Sequence, residues 1–194
     1  MRGRFPQRPA DRTGGRKSVS SLNKGLGKVE VTLKWDPSPL GAPVHDLDII
    51  AATYSTDDPY GEPAYLVHFD SRSPDGTITL SRDSRTGQGF GPDEALVLEL
   101  DRLAPAYGRV VVGVVIQQSG GRRTFGDIAN SAVRVAVGHH ELAGDDFADV
   151  AGSTAATVAE FTRAGAEEWE FHDTVSGFDT DPESFAGVMG SRRP

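Results

Sequence analysis

Cysteine is absent from the 194 residues, which excludes disulfides and thiolate metal sites. Hydrophobic residues make up only 37% and aromatics 8%. No apolar run approaches the ~20 residues of a membrane helix. Residues 1–17 are basic but are followed by no apolar segment of the kind a secretory signal needs, so the default expectation is the cytoplasm. Neither a P-loop, a dinucleotide fingerprint, a Gly-x-Ser-x-Gly elbow nor a His-Glu-x-x-His motif occurs. His139 and His140 are adjacent, so on a strand they would face opposite ways and make a poor chelating pair. With no nucleophile paired to a base, a non-enzymatic protein is expected.

What is plentiful is turn-forming residue and negative charge. Glycine (23) and proline (12) favour many turns and a β-rich fold. The net charge of −8 is unevenly spread. Six cations against Asp11 give residues 1–17 a charge of +5, which leaves −13 on the remainder. An acidic body disfavours nucleic acid and suits cations or basic partners. The first 17 residues have almost no apolar content and are expected to be a disordered basic arm.

Period-two alternation marks strands at Val29–Trp35, Tyr65–Phe69, Leu96–Leu100 and Val133–Val137. Leu47–Tyr54 is a mostly apolar run of strand length, Arg109–Gln117 reads as the most buried, central strand, and Thr77–Leu80 is a short strand. Ser73-Pro74-Asp75-Gly76 is a tight turn in which Asp75 is a turn-former. Pattern alone leaves Ser153–Arg163 open between helix and strand. Thr180-Asp181-Pro182-Glu183 reads as a capping box opening a short helix over Pro182–Met189. The expected organisation is an arm over 1–17, a β-sandwich domain over 18–178, and a helix and tail over 179–194.

The most unusual stretch runs from Arg82 to Glu94. Glycines at 87, 89 and 91 alternate, with Asp83 before them and Asp93-Glu94 after. Such a run suits neither a helix nor a strand interior and reads as a bent loop with acids at both ends. Asp83 and Glu94 span twelve residues inclusively, as in an EF-hand. The interior does not match one, because Arg85 and Gly87 replace acidic ligands and Gln88 replaces the required glycine. Upstream, Asp46 and Asp48 would share one side of an extended backbone and repel unless a cation lies between them. Five carboxylates, Asp46, Asp48, Asp83, Asp93 and Glu94, could thus surround one or two hard cations, above all calcium. The alternative is a long hairpin loop with incidental acids.

Taken in order, Asp46-Leu47-Asp48, Ser73-Pro74-Asp75-Gly76, Asp83…Thr86-Gly87-Gln88-Gly89…Asp93-Glu94 and Phe125-Gly126…Asn130 resemble the TerD family of tellurium-resistance and stress-response proteins. Val19-Ser20-Ser21-Leu22-Asn23-Lys24-Gly25 resembles its opening, and the likeness covers about residues 18–175. The resemblance implies an all-β fold, a two-sheet β-sandwich, in which Thr154–Thr162 and Trp169–Val175 are strands. It also implies calcium held by side-chain and backbone oxygens of clustered loops, and a bacterial cytoplasmic stress role. Loops ordered by the ion could then present a surface to a protein partner in a membrane-associated stress complex. On that basis the expected ligands are Asp46, Asp48, Asp83, Asp93 and Glu94, with Gly87 and Gly89 supplying carbonyls. This chain departs from the family pattern at Val44, Ser84, Gln88, Phe90 and Pro92, where acids, Asn or Gly are common. Fewer carboxylates imply weaker binding. The alternative is a metal-independent interaction module whose calcium site has decayed.

Overall fold

The computed structural model describes residues 25–191. The expected basic arm, and most of the opening Val19–Gly25 motif, lie outside the described residues.

Among the described residues ten strands form two five-stranded antiparallel sheets. The first sheet has the order β4-β5-β1-β7-β8. Its strands are β1 (Lys28–Lys34), β4 (Ile78–Arg82), β5 (Glu94–Glu99), β7 (Ala132–Val137) and β8 (His140–Asp145). The second has the order β10-β9-β6-β2-β3. It comprises β2 (Leu47–Ser55), β3 (Tyr65–Val67), β6 (Tyr107–Ile116), β9 (Ala155–Arg163) and β10 (Trp169–Phe178). One helix, α1 (Pro182–Val188), follows.

The alternation in β1 predicts its burial: Val29, Val31 and Leu33 are fully buried while Lys28, Glu30 and Lys34 are exposed. Register then orders the neighbours. Val31 pairs with Leu96 of β5 and Val135 of β7, so each contributes to the core between the sheets. The expected central strand is β6, which lies third in its sheet between β2 and β9. The ambiguous segment is strand β9, and Trp169 opposite Arg163 begins its hairpin with β10. A helix over 153–163 would have left β6 without a partner on that side.

Strand β8 is not foreshadowed by alternation. It is an edge strand with no fully buried residue, so its sequence carries no apolar face. Strand β4 runs two residues beyond Leu80, and β4 and β5 absorb Arg82 and Glu94, which leaves 83–93 as the glycine loop.

Both faces of the second sheet are covered. Its inner face packs on the first sheet. Its outer face, with Ile50, Ala52, Tyr54, Val111, Val115 and Ala155, lies under Phe185 and Met189 at the chain's end. Gly113 makes room for this lid, because a Cβ there would sit 2.7 Å from the Phe185 ring. The helix is capped by Asp181, whose side chain accepts from Ser184 N at 2.9 Å, one residue later than the sequence suggests. Thr180 N donates instead to Thr154 Oγ1. Buried Arg109 fixes the end further, pairing with Glu160 at 2.9 Å and donating to Gly190 O at 2.7 Å.

Candidate metal centre

Register brings the acidic segments to one end of the sandwich. Leu33, at the end of β1, is opposite Glu94, at the start of β5. In the other sheet Leu47, at the start of β2, is opposite Ile116, at the end of β6. The 83–93 loop and the 35–46 crossover therefore leave the sheets at the same end. Trp35 joins them. Its indole Nε1 donates to His45 O at 3.1 Å, and Gly87 packs against the same ring. A Cβ on Gly87 would lie 2.6 Å from that nitrogen, and its φ of +64° is left-handed, so glycine is required twice over.

Asp48, Asp83 and Glu94 each offer a carboxylate oxygen, and the three oxygens lie within 4.8 Å of one another. Asp48 and Glu94 are buried and Asp83 is exposed. Glu94 continues the inward row of Leu98 and Leu96 on β5, so a carboxylate takes a core position. Its Oε2 accepts the backbone N–H of Ile49 in the opposite sheet. That N–H belongs to the part of β2 beyond β3, which pairs only with Ala51–Thr53. The other oxygen, Oε1, is buried without a hydrogen-bond partner.

The electrostatics follow from this crowding. Burial first, opposed by the Ile49 N–H and reinforced by Asp48 and Asp83, pushes the Glu94 carboxyl up to about 10. Burial also raises Asp48, against the hydrogen bond it accepts from Gln117 Nε2. Asp46 is raised to about 6 by burial and then by the Asp48 charge, with Arg85 acting the other way. Its Oδ1 is likewise buried and unpartnered.

The five carboxylates singled out in the sequence thus separate. Asp48, Asp83 and Glu94 converge, and Asp46 lies within electrostatic reach of Asp48 and Asp83. Asp93 takes the opposite side of the strand from Glu94. Its Oδ2 accepts Trp35 N at 3.0 Å and lies 3.6 Å from Lys34 Nζ, while its own N–H donates to Leu33 O. Gly87 is buried against Trp35, and Gly89 is exposed with φ +136°. Asp75 forms the expected turn, accepting both Thr77 N and Thr77 Oγ1. Gln117 was not a sequence candidate, although its place just after β6, opposite the start of β2, puts its amide beside Asp48.

A hard divalent cation fits this donor set. The converging ligands are all oxygen, the carboxylates repel one another, and Glu94 holds a buried oxygen with no proton donor. Among the described residues no helix is long and apolar enough to cross a membrane.

A family model described as the TerD domain matches residues 12–187. A crystal structure of a homologue of telluride resistance protein (TerD) from Streptomyces coelicolor A3(2) is 58% identical, with a TM-score of 0.85. It covers 87% of this chain and 100% of that one. The tellurium resistance protein TerD of Serratia marcescens is 28% identical over 170 residues, covering 85% of this chain and 88% of that protein. The stress response protein SCP2 of Bacillus subtilis (strain 168) is 29% identical over 173 residues, covering 81% and 86%. With the two-sheet fold and a family match over most of its length, this chain belongs to the TerD family, whose members carry tellurium-resistance and stress-response names.

Proposed function

We propose that this chain is a non-enzymatic stress-response protein that binds calcium at Asp48, Asp83 and Glu94, with Asp46 adding charge from beside them. The observation that carries this reading is the convergence of three carboxylates on 4.8 Å, two of them buried. A bound ion would supply positive charge where buried acids otherwise have to stay protonated. Asp48 and Glu94 come from different sheets and Asp83 from the loop, so one ligand would tie the loop to both sheets. Binding only to the folded state stabilises that state by mass action. The names of the relatives support a role in resistance to stress, tellurium compounds included.

Isothermal titration with calcium, run beside Asp48→Asn, tests the reading. Heat in the wild type that the substitution abolishes is the expected result. No heat, together with a melting temperature unmoved by chelator, overturns it.

A second reading is favoured by Glu94 itself. A carboxyl raised to about 10 is neutral at physiological pH and can donate to a neighbouring carboxylate, which closes the site without a metal. The protein would then be a metal-independent interaction module. Melting with and without calcium separates the two.

A further inference from the structure

Two open sheets have four edges, and among the described residues these are β3, β4, β8 and β10. An edge strand presents unpaired N–H and C=O groups, which proteins blunt with short strands, side-chain caps or bulges. Three of the four edges are blunted in this way. β3 has only three residues, and Ser71 folds back so that its Oγ donates to Leu66 O at 2.9 Å. β4 gives its Ile78 N–H to Ser73 Oγ, and its register slips between Leu80 and Arg82. β8 slips in register where it passes Val135 and Ala136. β10 slips only after Asp173, and its later part is covered: a Cβ on Gly177 would lie 3.1 Å from Val150 Cβ. Among the described residues Trp169–Asp173 is therefore a regular edge left open.

The phase of this edge follows from its hairpin. Ala164 N donates to Glu168 O at 2.9 Å, and the same register pairs Glu170 with Thr162 and His172 with Glu160. The backbone groups of 168, 170 and 172 thus face β9, and those of Trp169, Phe171 and Asp173 face the open side, where no strand pairs with them. Phe171 points into the core, so Glu170 and His172 stand side by side on the outer face. His172 Nε2 meets Thr162 Oγ1 at 2.9 Å, which leaves Nδ1 for another group.

The sequence of this edge is self-complementary. Two antiparallel copies must set odd residues against odd ones to join their free N–H and C=O groups. A two-fold centred on Trp169 would face Glu168 with Glu170 of the second copy. Centred on Glu170, His172 or Asp173, it would face each of those residues with itself. Centred on Phe171, it faces Glu170 with His172 of the second copy, twice, and sets no like pair opposite. Opposite charges across a strand pair stabilise it and like charges oppose it, so one register is selected.

We propose that two copies of this chain associate through β10, antiparallel and centred on Phe171, to join their second sheets into one. Asp48 lies on β2, across the same sheet from β10, so the pairing leaves the acidic cluster of each copy free and does not depend on cation binding.

Sedimentation equilibrium of the full chain in chelator, from about 1 μM to about 1 mM, tests it. A reversible dimer is expected, weak because the pairing is short. Glu170→Lys and His172→Glu should each weaken it about tenfold, since each substitution sets like charges or a cation and imidazole opposite one another at both symmetric positions. Together they restore opposite charges and should return the affinity to within about threefold of the wild type. Asp173→Pro removes an N–H that makes no ladder bond within one copy, so it should abolish the dimer while the monomer melts as before. Amide exchange at Phe171 and Asp173 should slow as concentration rises. A monomer throughout the range overturns the proposal. So does a dimer that ignores both single substitutions, a folded double variant that stays as weak as the singles, or a dimer unchanged by Asp173→Pro.

Discussion

Glu94 of β5 accepts the backbone N–H of Ile49 of β2, so a single carboxyl bridges the two sheets at their open end. It sits where the alternation of its strand calls for a hydrophobic residue, fully buried beside Asp48 and Asp83. Most of the behaviour expected of this protein follows from that placement.

The metal-free protein should lose stability as pH rises. In the folded state Glu94 keeps its proton to about pH 10, whereas its ordinary value is 4.5. Asp46 behaves alike between 3.8 and about 6. Across these windows the folded state binds more protons than the unfolded one, so unfolding becomes easier with increasing pH. The contribution is complete below about pH 4 and fades toward pH 10. Denaturant melts in chelator at pH 5.5 and 8.5 check the sign, at approximately the two sides of the Asp46 transition. Saturating calcium should flatten or reverse the trend.

Calcium uptake should expel protons. A ligand carboxyl that is protonated before binding must ionise to coordinate. Titrations at pH 7 in buffers of different ionisation enthalpy should therefore give different apparent heats, with about one proton released per ion. Equal heats in all buffers would mean that Glu94 is either already ionised or not a ligand.

Glu94→Gln separates folding from binding. The amide keeps an acceptor for Ile49 N and removes the charge that burial disfavours. In chelator the variant should match the wild type near pH 4 and be more stable than it at pH 7, because only the wild-type carboxyl has to take up a proton on folding. Its melting temperature should no longer respond to calcium. A variant that still responds would remove Glu94 from the ligand set.

Asp93→Asn should do the reverse. Asp93 braces Trp35 N and faces Lys34, on the other side of the strand from the cluster. Its replacement should cost about 1–3 kcal/mol of stability, because a charged acceptor for a buried N–H is lost. Calcium stoichiometry by titration should be unchanged. Lost stoichiometry with intact stability would instead place Asp93 among the ligands.

Gly87→Ala should be harsh for its size. The new methyl would meet the Trp35 indole at 2.6 Å in a backbone conformation that alanine avoids. A loss of about 2 kcal/mol or more is expected from strain and displacement. Thermal melts in chelator measure it free of any metal effect.

Much of this was legible in the sequence because alternation and register are strong signals. The strands with an apolar face, β1, β5 and β7, declare themselves, and so do the apolar runs of β2 and β6. Strand β8 does not, since an edge strand with no buried side chain carries no pattern. At the site, the acids could be found but not sorted. Asp93 and Glu94 are neighbours, and only the phase of β5, set by Leu96 and Leu98, shows that they part to opposite faces. The role of Gln117 is invisible locally, because it depends on β6 ending opposite the start of β2. The cap at Asp181 instead of Thr180 reflects a tertiary bond from Thr180 to Thr154 that no local motif encodes.

The anchoring of both loops on Trp35 makes the protein its own optical probe. Its two tryptophans occupy opposite ends of the sandwich. Trp35 is fully buried, with its indole bound to His45 O and pressed by Gly87, so any rearrangement of either loop changes its surroundings. Trp169 donates to Leu100 O at 3.0 Å, at the far end of β5, and lies under the Arg163 guanidinium. Emission from Trp169 should stay constant while that from Trp35 follows the loops. A Trp169→Phe variant would isolate the reporting fluorophore without any added label.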